Sequence, residues 1–236
     1  MSLSDEEKKY RDMQKNWYED QASTSEYKEG VVIRDHVVGN FPQQEKFPYE
    51  NWLFKHYTPQ KDHVCYEYGC GPGRQIKRML KYFKRVDGVD ISENNLKNAK
   101  DYLGKDYNGV LKVNDGVSVP LTDKYDFCYS IICLQHIPVY TIRRKILKNM
   151  LNSLKDGGQI CVQLAVGKST SGTPTYGYFE NFHDAEATNG RVDCRIDSYS
   201  EVVDDFTNIG FKVIGIGLSD TVEDHHPLWA WFYGIK

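Results

Sequence analysis

Short apolar runs and helical patterns alternate along the chain between residues 63 and 166. Strand-like runs begin with HVCYEYG at 63–69 and end with QICVQLAV at 159–166, with amphipathic stretches such as RQIKRMLKYF at 74–83 between them. Short strands joined by helical crossovers favour a parallel sheet. We therefore predict an α/β fold with a doubly wound, mostly parallel, Rossmann-like sheet in three α/β/α layers.

The end of the chain departs from this alternation. After a helical pattern near 200–209, the runs GFKVIGIGL at 210–218 and LWAWFYGI at 228–235 follow each other with no helix between them. Strands joined without a crossover pair in the antiparallel sense. We therefore predict a seven-stranded sheet whose last strand is antiparallel.

Two stretches lie outside the predicted sheet. Residues 1–60 are polar and aromatic, and Ser4 and Glu7 have the spacing of a capping box at a helix start. We expect residues 1–60 to form a helical lid or cap on a main domain over residues 61–236. A long polar insertion follows the fifth strand at about 167–198. Because loops of this length are usually functional, we expect it to cover a binding site.

The composition argues against several classes of partner. The chain has 236 residues and a formal net charge of −3, without the basic surplus expected of a nucleic-acid-binding protein. It lacks an apolar N-terminal run and any stretch of about 18 apolar residues. Its six cysteines have no zinc-type spacing. We expect a cytoplasmic monomer or homodimer that binds no nucleic acid, membrane or metal.

The segment YEYGCGPGR at 66–74 places three glycines at alternating positions behind Glu67. Glycine suits turns with positive φ and close approach of the backbone to a ligand. The loop leaves the first strand and opens a helix, where open α/β sheets bind their ligands. Asp90 ends the second strand, where a carboxylate can accept hydrogen bonds from two ribose hydroxyls. Asp115 and Gly116 end the third strand, near an adenine edge, so we predict an adenosine-containing cofactor.

Two cofactor classes compete for this loop. A dinucleotide fingerprint is GxGxxG, with a pyrophosphate at the helix N-terminus. Here the spacing is GxGxG, and Arg74 occupies the place of the last glycine. A carboxylate at Glu67 would repel a pyrophosphate but suits an ammonium or sulfonium. This favours S-adenosylmethionine (SAM), with an NAD-type oxidoreductase as the alternative.

An ordered series of motifs runs through the same region. The motifs are ExGxGxG at 67–73, VDGVDIS at 86–92, VNDG at 113–116, KYDFCYSIICLQHIP at 124–138 and LKDGGQICVQ at 154–163. Together they resemble the class I SAM-dependent methyltransferases over about residues 63–166. The closing GF and WAWFYG strands resemble that family's terminal antiparallel hairpin.

The resemblance implies a set of cofactor contacts. The glycines would line the methionine and ribose portion of SAM, Asp90 would hold the ribose, and Asp115 would read adenine N6. Ser130 and Ile131 would form the floor beneath the methionine portion. Trp17 falls where many relatives place a lid helix, with a core role as the alternative. The predicted cofactor residues are Trp17, Glu67, Gly69, Cys70, Gly71, Gly73, Asp90, Ile91, Asn95, Asp115, Gly116, Ser130, Ile131 and His136.

The candidates for proton transfer and acceptor binding lie in three segments. His136, just after the fourth strand, is the best placed general base, with scaffolding of the cofactor loop as the alternative. His183 in the insertion is a second candidate base and a candidate acceptor contact. Tyr176 and Tyr178 are predicted to form an acceptor wall, or else to pack, and His226 is a further candidate acceptor contact.

These observations predict a SAM-dependent methyltransferase that modifies an O or N atom of a small polar molecule. The (D/N)PP(Y/F) box of enzymes that methylate DNA bases is absent after the fourth strand, where IICLQH stands. The segments DAEATNGRVDCRI and HHPLWAW resemble bacterial and phage methyltransferases, which suggests a sugar or a secondary metabolite as acceptor. A SAM-binding protein without catalysis is the non-enzyme alternative.

Overall fold

The computed structural model describes residues 2–37, 46–182, 184, 186–220 and 226–236. In chain order the strands of these residues are β1 Glu26–Lys28, β2 Val31–Arg34, β3 Val64–Tyr68, β4 Arg85–Asp90, β5 Leu111–Val113, β6 Tyr125–Ser130, β7 Leu154–Val166, β8 Thr175–Gly177, β9 Asp193–Arg195, β10 Lys212–Ser219 and β11 Leu228–Ile235. The α-helices are α1 Asp5–Ser23, α2 Tyr49–Leu53, α3 Arg74–Met79, α4 Glu93–Leu103, α5 Tyr140–Ser153 and α6 Tyr199–Ile209. None of the helices in the described part of the chain is long and apolar enough to cross a membrane.

Seven strands form the large sheet, in the order β10-β11-β7-β6-β3-β4-β5. Strands β3 to β7 pair in the parallel sense, and β11 pairs antiparallel with both β7 and β10. The predicted Rossmann-like sheet with an antiparallel last strand is therefore confirmed. From β3 the chain runs outward to β4 and β5, and then returns to β6 on the other side of β3. This reversal opens a crevice beyond the carboxyl ends of β3 and β6, the usual ligand position in such sheets.

Separate hydrophobic clusters cover the two faces of the sheet and produce the three predicted layers. One cluster includes Ile146 of α5 and Phe206 of α6. The other includes Leu53 of α2, Met79 of α3 and Leu96 of α4. Since β3 and β6 are buried on both faces, they carry near-continuous apolar runs rather than an alternating pattern. All six cysteines are free thiols.

Several elements end at residues other than the predicted ones. The helix predicted over 74–83 ends at Met79, and the third parallel strand pairs only over Leu111–Val113. The fifth strand begins at Leu154 instead of residue 159, because the fully buried Leu154 already pairs with Tyr125. Pairing with β6 therefore starts the fifth strand directly after the end of α5 at Ser153.

Helix α1 crosses the sheet at its carboxyl-end edge and is fixed at both ends. At its start, Ser4 and Glu7 form the predicted capping box. The Glu7 carboxylate also accepts hydrogen bonds from Lys145 Nζ at 2.6 Å and Thr141 Oγ1 at 2.5 Å. Burial opposes ionisation, but these bonds outweigh it and lower the pKa of Glu7 to about 2. Near its end, Glu19 accepts hydrogen bonds from backbone amides in the first turn of α4.

The segment over residues 1–60 does not form one packed unit. Tyr10 of α1 belongs to the hydrophobic cluster of α5 and α6, whereas Tyr49 and Leu53 of α2 belong to the cluster on the other face. The lid role of residues 1–60 stays a prediction; within the described part of this segment, α1 and the residues His36 and Val37 after β2 lie at the carboxyl-end edge of the sheet, where a lid would lie.

The polar insertion after β7 carries secondary structure of its own. Strands β8 and β9 pair in the parallel sense, and the Asp193 amide donates to the Pro174 carbonyl at 2.9 Å. Beyond β9, Ile196 forms an isolated bridge with Val166 at the end of β7. The insertion is therefore anchored beside the carboxyl end of the central sheet.

Candidate active site

A cavity of about 560 Å³ lies beyond the carboxyl ends of β3, β4 and β6. This volume is within the range of small-molecule sites. Its wall is contributed by α1, the glycine loop after β3, the loop after β6 and the insertion. Lining residues from these elements include Gln14, Trp17, Tyr18, Glu67, Gly71, Gln75, Asp90, Asn95, Asn114, His136, Arg191 and Asp193.

Glycine is required at two positions of the loop for different structural reasons. Gly69 has φ +72°, and a Cβ there would collide with the Cys133 sulfur. Gly71 has φ +49° and lines the cavity, and a Cβ there would meet no heavy atom of the described residues within 4 Å. The backbone at Gly71 is therefore open to close approach by a ligand.

The Asp90 carboxylate holds the glycine loop against β4. It accepts hydrogen bonds from the Gly71 amide at 2.8 Å, the Ser92 amide at 2.9 Å and Asn95 Nδ2 at 3.2 Å. Burial raises the pKa of Asp90, and these hydrogen bonds oppose the shift. Asn95 Oδ1 is buried and has no hydrogen-bond partner among the described residues. Asp90 and Asn95 thus offer acceptor atoms to a ligand with hydroxyl or amine donors.

Beside the loop lies a pair of buried polar side chains, Glu67 and Gln75. Glu67 is only 3% exposed, and the Tyr129 hydroxyl lies 3.5 Å from its carboxylate. Burial raises the pKa of Glu67 well above its usual range, although the Arg74 charge and the Ile76 backbone favour its ionised form. Gln75 is 2% exposed, and neither of its amide atoms has a partner within the described part of the chain. Such groups fit a ligand that carries a positive charge together with hydrogen-bonding atoms.

His136 joins the opposite wall of the cavity to the insertion. Its Nδ1 lies 2.6 Å from Oδ1 of Asp193, whose side chain is only 2% exposed. Since a carboxylate accepts, Nδ1 carries the proton in this pair and Nε2 of the neutral ring is the basic nitrogen. Gln135 Nε2 lies 3.2 Å from His136 Nε2, in keeping with that assignment. The Tyr10 hydroxyl donates to the His136 carbonyl at 2.7 Å and fixes the backbone.

Comparison with known proteins identifies the family of this chain. The family described as "Methyltransferase domain" matches residues 66–162, which include the glycine loop and the end of β6. The chain is a class I SAM-dependent methyltransferase. Its cofactor is SAM, so the oxidoreductase alternative is not retained.

Individual relatives of this methyltransferase are distant. Malonyl-[acyl-carrier protein] O-methyltransferase 1 of Ilyobacter polytropus is 25% identical over 204 residues, which cover 84% of this chain and 70% of that protein. The N-methyltransferase NodS of Bradyrhizobium japonicum, solved with S-adenosyl-L-homocysteine, has a TM-score of 0.65 at 12% identity and covers 94% of this chain and 98% of its own. A SAM-dependent methyltransferase of Mesorhizobium loti has a TM-score of 0.61 at 14% identity and covers 81% and 99%. At these identities the solved structures show the shared fold.

Most of the residues predicted to bind the cofactor line the cavity of the methyltransferase. They are Trp17, Glu67, Gly69, Cys70, Gly71, Asp90, Ile91, Asn95, Gly116, Ile131 and His136. Their individual contacts with SAM stay predictions, but the structure brings them together around one space.

Three predicted cofactor residues do not line the cavity. Gly73 starts α3, and a Cβ there would meet the side chains of α4. The Asp115 carboxylate accepts hydrogen bonds from the Val117 and Ser118 amides, so it closes its own turn. Ser130 is fully buried and donates to the Tyr68 carbonyl at 3.0 Å.

Three of the residues predicted to contact the acceptor also lie outside the cavity lining. Tyr178 is buried and donates to Asp205 at 2.9 Å, while Tyr176 packs against the ring of Phe182; neither lines the cavity. His226 lies behind the cavity wall and contacts Asp193. The prediction for His183 falls outside the described residues.

Several lining residues were missed in the sequence. Gln14 and Gln75 lie on helices where a polar residue is unremarkable, and Asn114 lines the cavity in place of its neighbour Asp115. Asp193 is one acidic residue among several in a polar insertion, and nothing in its spacing links it to His136. Among the described residues, no group of three or more His, Cys, Asp or Glu side chains could hold a metal ion.

Proposed function

We propose that this methyltransferase transfers the methyl group of SAM to an O or N atom of a small polar acceptor, with His136 as general base. The observation that carries the proposal is the His136–Asp193 pair, which faces the same cavity as the glycine loop. Two of the three relatives named above are an O- and an N-methyltransferase, which supports both acceptor atoms.

The donor side of the cavity is suited to SAM. The open backbone at Gly71 would admit the ligand, Asp90 and Asn95 would accept hydrogen bonds from ribose hydroxyls, and Glu67 would face the cationic methionine portion. When bound, SAM supplies an electrophilic methyl group on a sulfonium. The protein's task is then to align the acceptor and exclude water.

The acceptor side is formed by α1, His136 and the insertion. Ser171, Thr173 and Arg191 of the insertion line the cavity together with Trp17 and Tyr18 of α1. These polar and aromatic side chains support a polar acceptor of small size. Transfer of the methyl group would break its bond to the sulfonium and leave neutral S-adenosylhomocysteine, and Nε2 of His136 would take the proton of the acceptor atom. The resulting imidazolium is stabilised by the carboxylate of Asp193.

A screen with isotopically labelled SAM tests the proposal. We expect the enzyme to transfer label to one or more compounds among extracted small metabolites and nucleotide sugars. Heat-denatured enzyme provides the matched blank. Binding of S-adenosylhomocysteine without transfer to any small-molecule fraction would instead support a SAM-binding protein without catalysis.

Binding of SAM should release protons from Glu67. Burial keeps this carboxyl neutral above its ordinary pKa, and a cationic ligand beside it favours the ionised form. SAM affinity should therefore rise with pH until Glu67 is ionised in the free enzyme. Calorimetry in two buffers of different ionisation enthalpy measures the release. The Glu67→Gln variant should show no buffer dependence, and equal enthalpies for the wild type in both buffers would contradict this role.

A further inference from the structure

The Asp193 carboxylate has a second histidine partner behind the cavity wall. His226 lies just before β11, and its side chain is fully buried. Its Nε2 lies 3.2 Å from Oδ2 of Asp193, and its Nδ1 lies 3.1 Å from the carbonyl oxygen of Gly167. The carboxylate of Asp193 therefore lies between two imidazole rings, one in the cavity wall and one outside it.

The Gly167 carbonyl oxygen and Oδ2 of Asp193 are both hydrogen-bond acceptors. A neutral imidazole has a single N–H and can donate to only one of them, whereas an imidazolium donates to both. In either form the ring can present an N–H at Nε2 to Asp193, a carboxylate that is only 2% exposed and is therefore expected to be hydrogen-bonded.

We propose that His226 is a positioning residue for methyl transfer. It holds the Asp193 carboxylate in the orientation that binds Nδ1 of His136, and so fixes the direction of the basic Nε2 of His136. This inference rests on the proposed role of His136 as general base. Because His226 does not line the cavity, its effect on the acceptor passes through Asp193.

Both partners of the ring are themselves held in place. The Asp193 amide donates to the Pro174 carbonyl at 2.9 Å, and Gly167 has φ +76° at the end of β7. The hydrogen bonds of the His226 ring therefore join the insertion to the segment before β11. Loss of the His226 donor would remove one of the hydrogen bonds that orient the Asp193 carboxylate toward His136.

Two amide substitutions separate positioning of Asp193 from simple anchoring of the loop at Gly167. The side-chain nitrogen of glutamine reaches the place of Nε2, so His226→Gln keeps a donor for Asp193. The nitrogen of asparagine reaches the place of Nδ1, so His226→Asn keeps a donor for Gly167. The two variants thus remove the two contacts one at a time.

The expected result is loss of turnover in His226→Asn and rescue in His226→Gln. With the first acceptor labelled in the screen, kcat of His226→Asn should fall about 10–100-fold, since misplacement by about 1 Å can cost about 10²-fold. His226→Gln should retain most of the turnover. Calorimetry should give similar affinities for S-adenosylhomocysteine in both variants. A loss confined to His226→Gln, or no loss in either variant, would overturn the proposal.

A spectroscopic measurement tests the same point without an acceptor. The ring N–H proton of His136 that is bonded to Asp193 can be assigned by its disappearance in His136→Ala. It should remain in the spectrum of His226→Gln and exchange rapidly in that of His226→Asn. If His136→Ala keeps its turnover, the general base itself is wrong. If that variant is inactive and both His226 variants are normal, only the positioning role fails.

Discussion

Replacement of His136 by alanine should lower kcat for methyl transfer by about 10²–10⁴-fold, the usual contribution of a general base. The loss is expected because no base would be positioned to take the proton of the methyl acceptor, while the SAM-binding side of the cavity is unchanged. Steady-state rates with saturating SAM and the acceptor from the screen measure the effect. An acceptor that is already ionised in solution should restore part of the rate.

The control separates proton transfer from cofactor binding. His136→Ala should bind S-adenosylhomocysteine with an affinity close to that of the wild type. His56→Ala removes an exposed histidine that packs beside Tyr233 and does not line the cavity, and it should leave kcat unchanged. If His136→Ala acts only by raising the KM for SAM, the histidine serves the cofactor loop rather than the acceptor.

The fold could be predicted from the sequence because its signals are local. Parallel strands such as β6, YDFCYS, are apolar except for Asp126 and Ser130, and each crossover helix has its own apolar face. The glycine loop and Asp90 follow directly from the ends of β3 and β4, so their meeting at one edge is a consequence of topology alone.

The acceptor side could not be predicted because its contacts are distant in sequence. Asp193 reaches His136 across 57 residues and His226 across 33 residues. Both contacts depend on how β8 and β9 pair and on where the chain re-enters the sheet at β11. Tyr178 shows the same limitation, since only the packed structure reveals Asp205 as its partner.

The sequence predicts Asp115 as a cavity residue, but its neighbour Asn114 lines the cavity, because both residues lie in a turn rather than in a strand. Beyond β5, the Asn114 side chain accepts the Gly116 amide at 2.9 Å and lines the cavity. Asp115 turns its carboxylate toward the next two amides instead. Side chains alternate along a strand, but this rule stops at the last paired residue, Val113.

Replacement of Asp90 by alanine should weaken binding of S-adenosylhomocysteine by about 1–3 kcal/mol, which is roughly 5–150-fold in Kd. Two losses combine in this variant. The ligand loses a charged acceptor for its hydroxyls, and the Gly71 amide loses the carboxylate that holds the glycine loop at 2.8 Å. Isothermal calorimetry gives the affinity, and circular dichroism shows whether the variant is folded.

Asp90→Asn distinguishes these two losses. Its remaining side-chain oxygen can still accept one backbone amide of the loop, but the side chain has lost its negative charge and gained a donor. Recovery of affinity in Asp90→Asn would indicate that Asp90 acts by holding the loop, whereas an equal loss in both variants would indicate direct contact with the ligand. Glu93→Ala removes an exposed acidic side chain from the nearby start of α4, outside the cavity, and should change the binding free energy by less than about 0.5 kcal/mol. Wild-type affinity in Asp90→Ala would show that the ribose is bound elsewhere in the cavity.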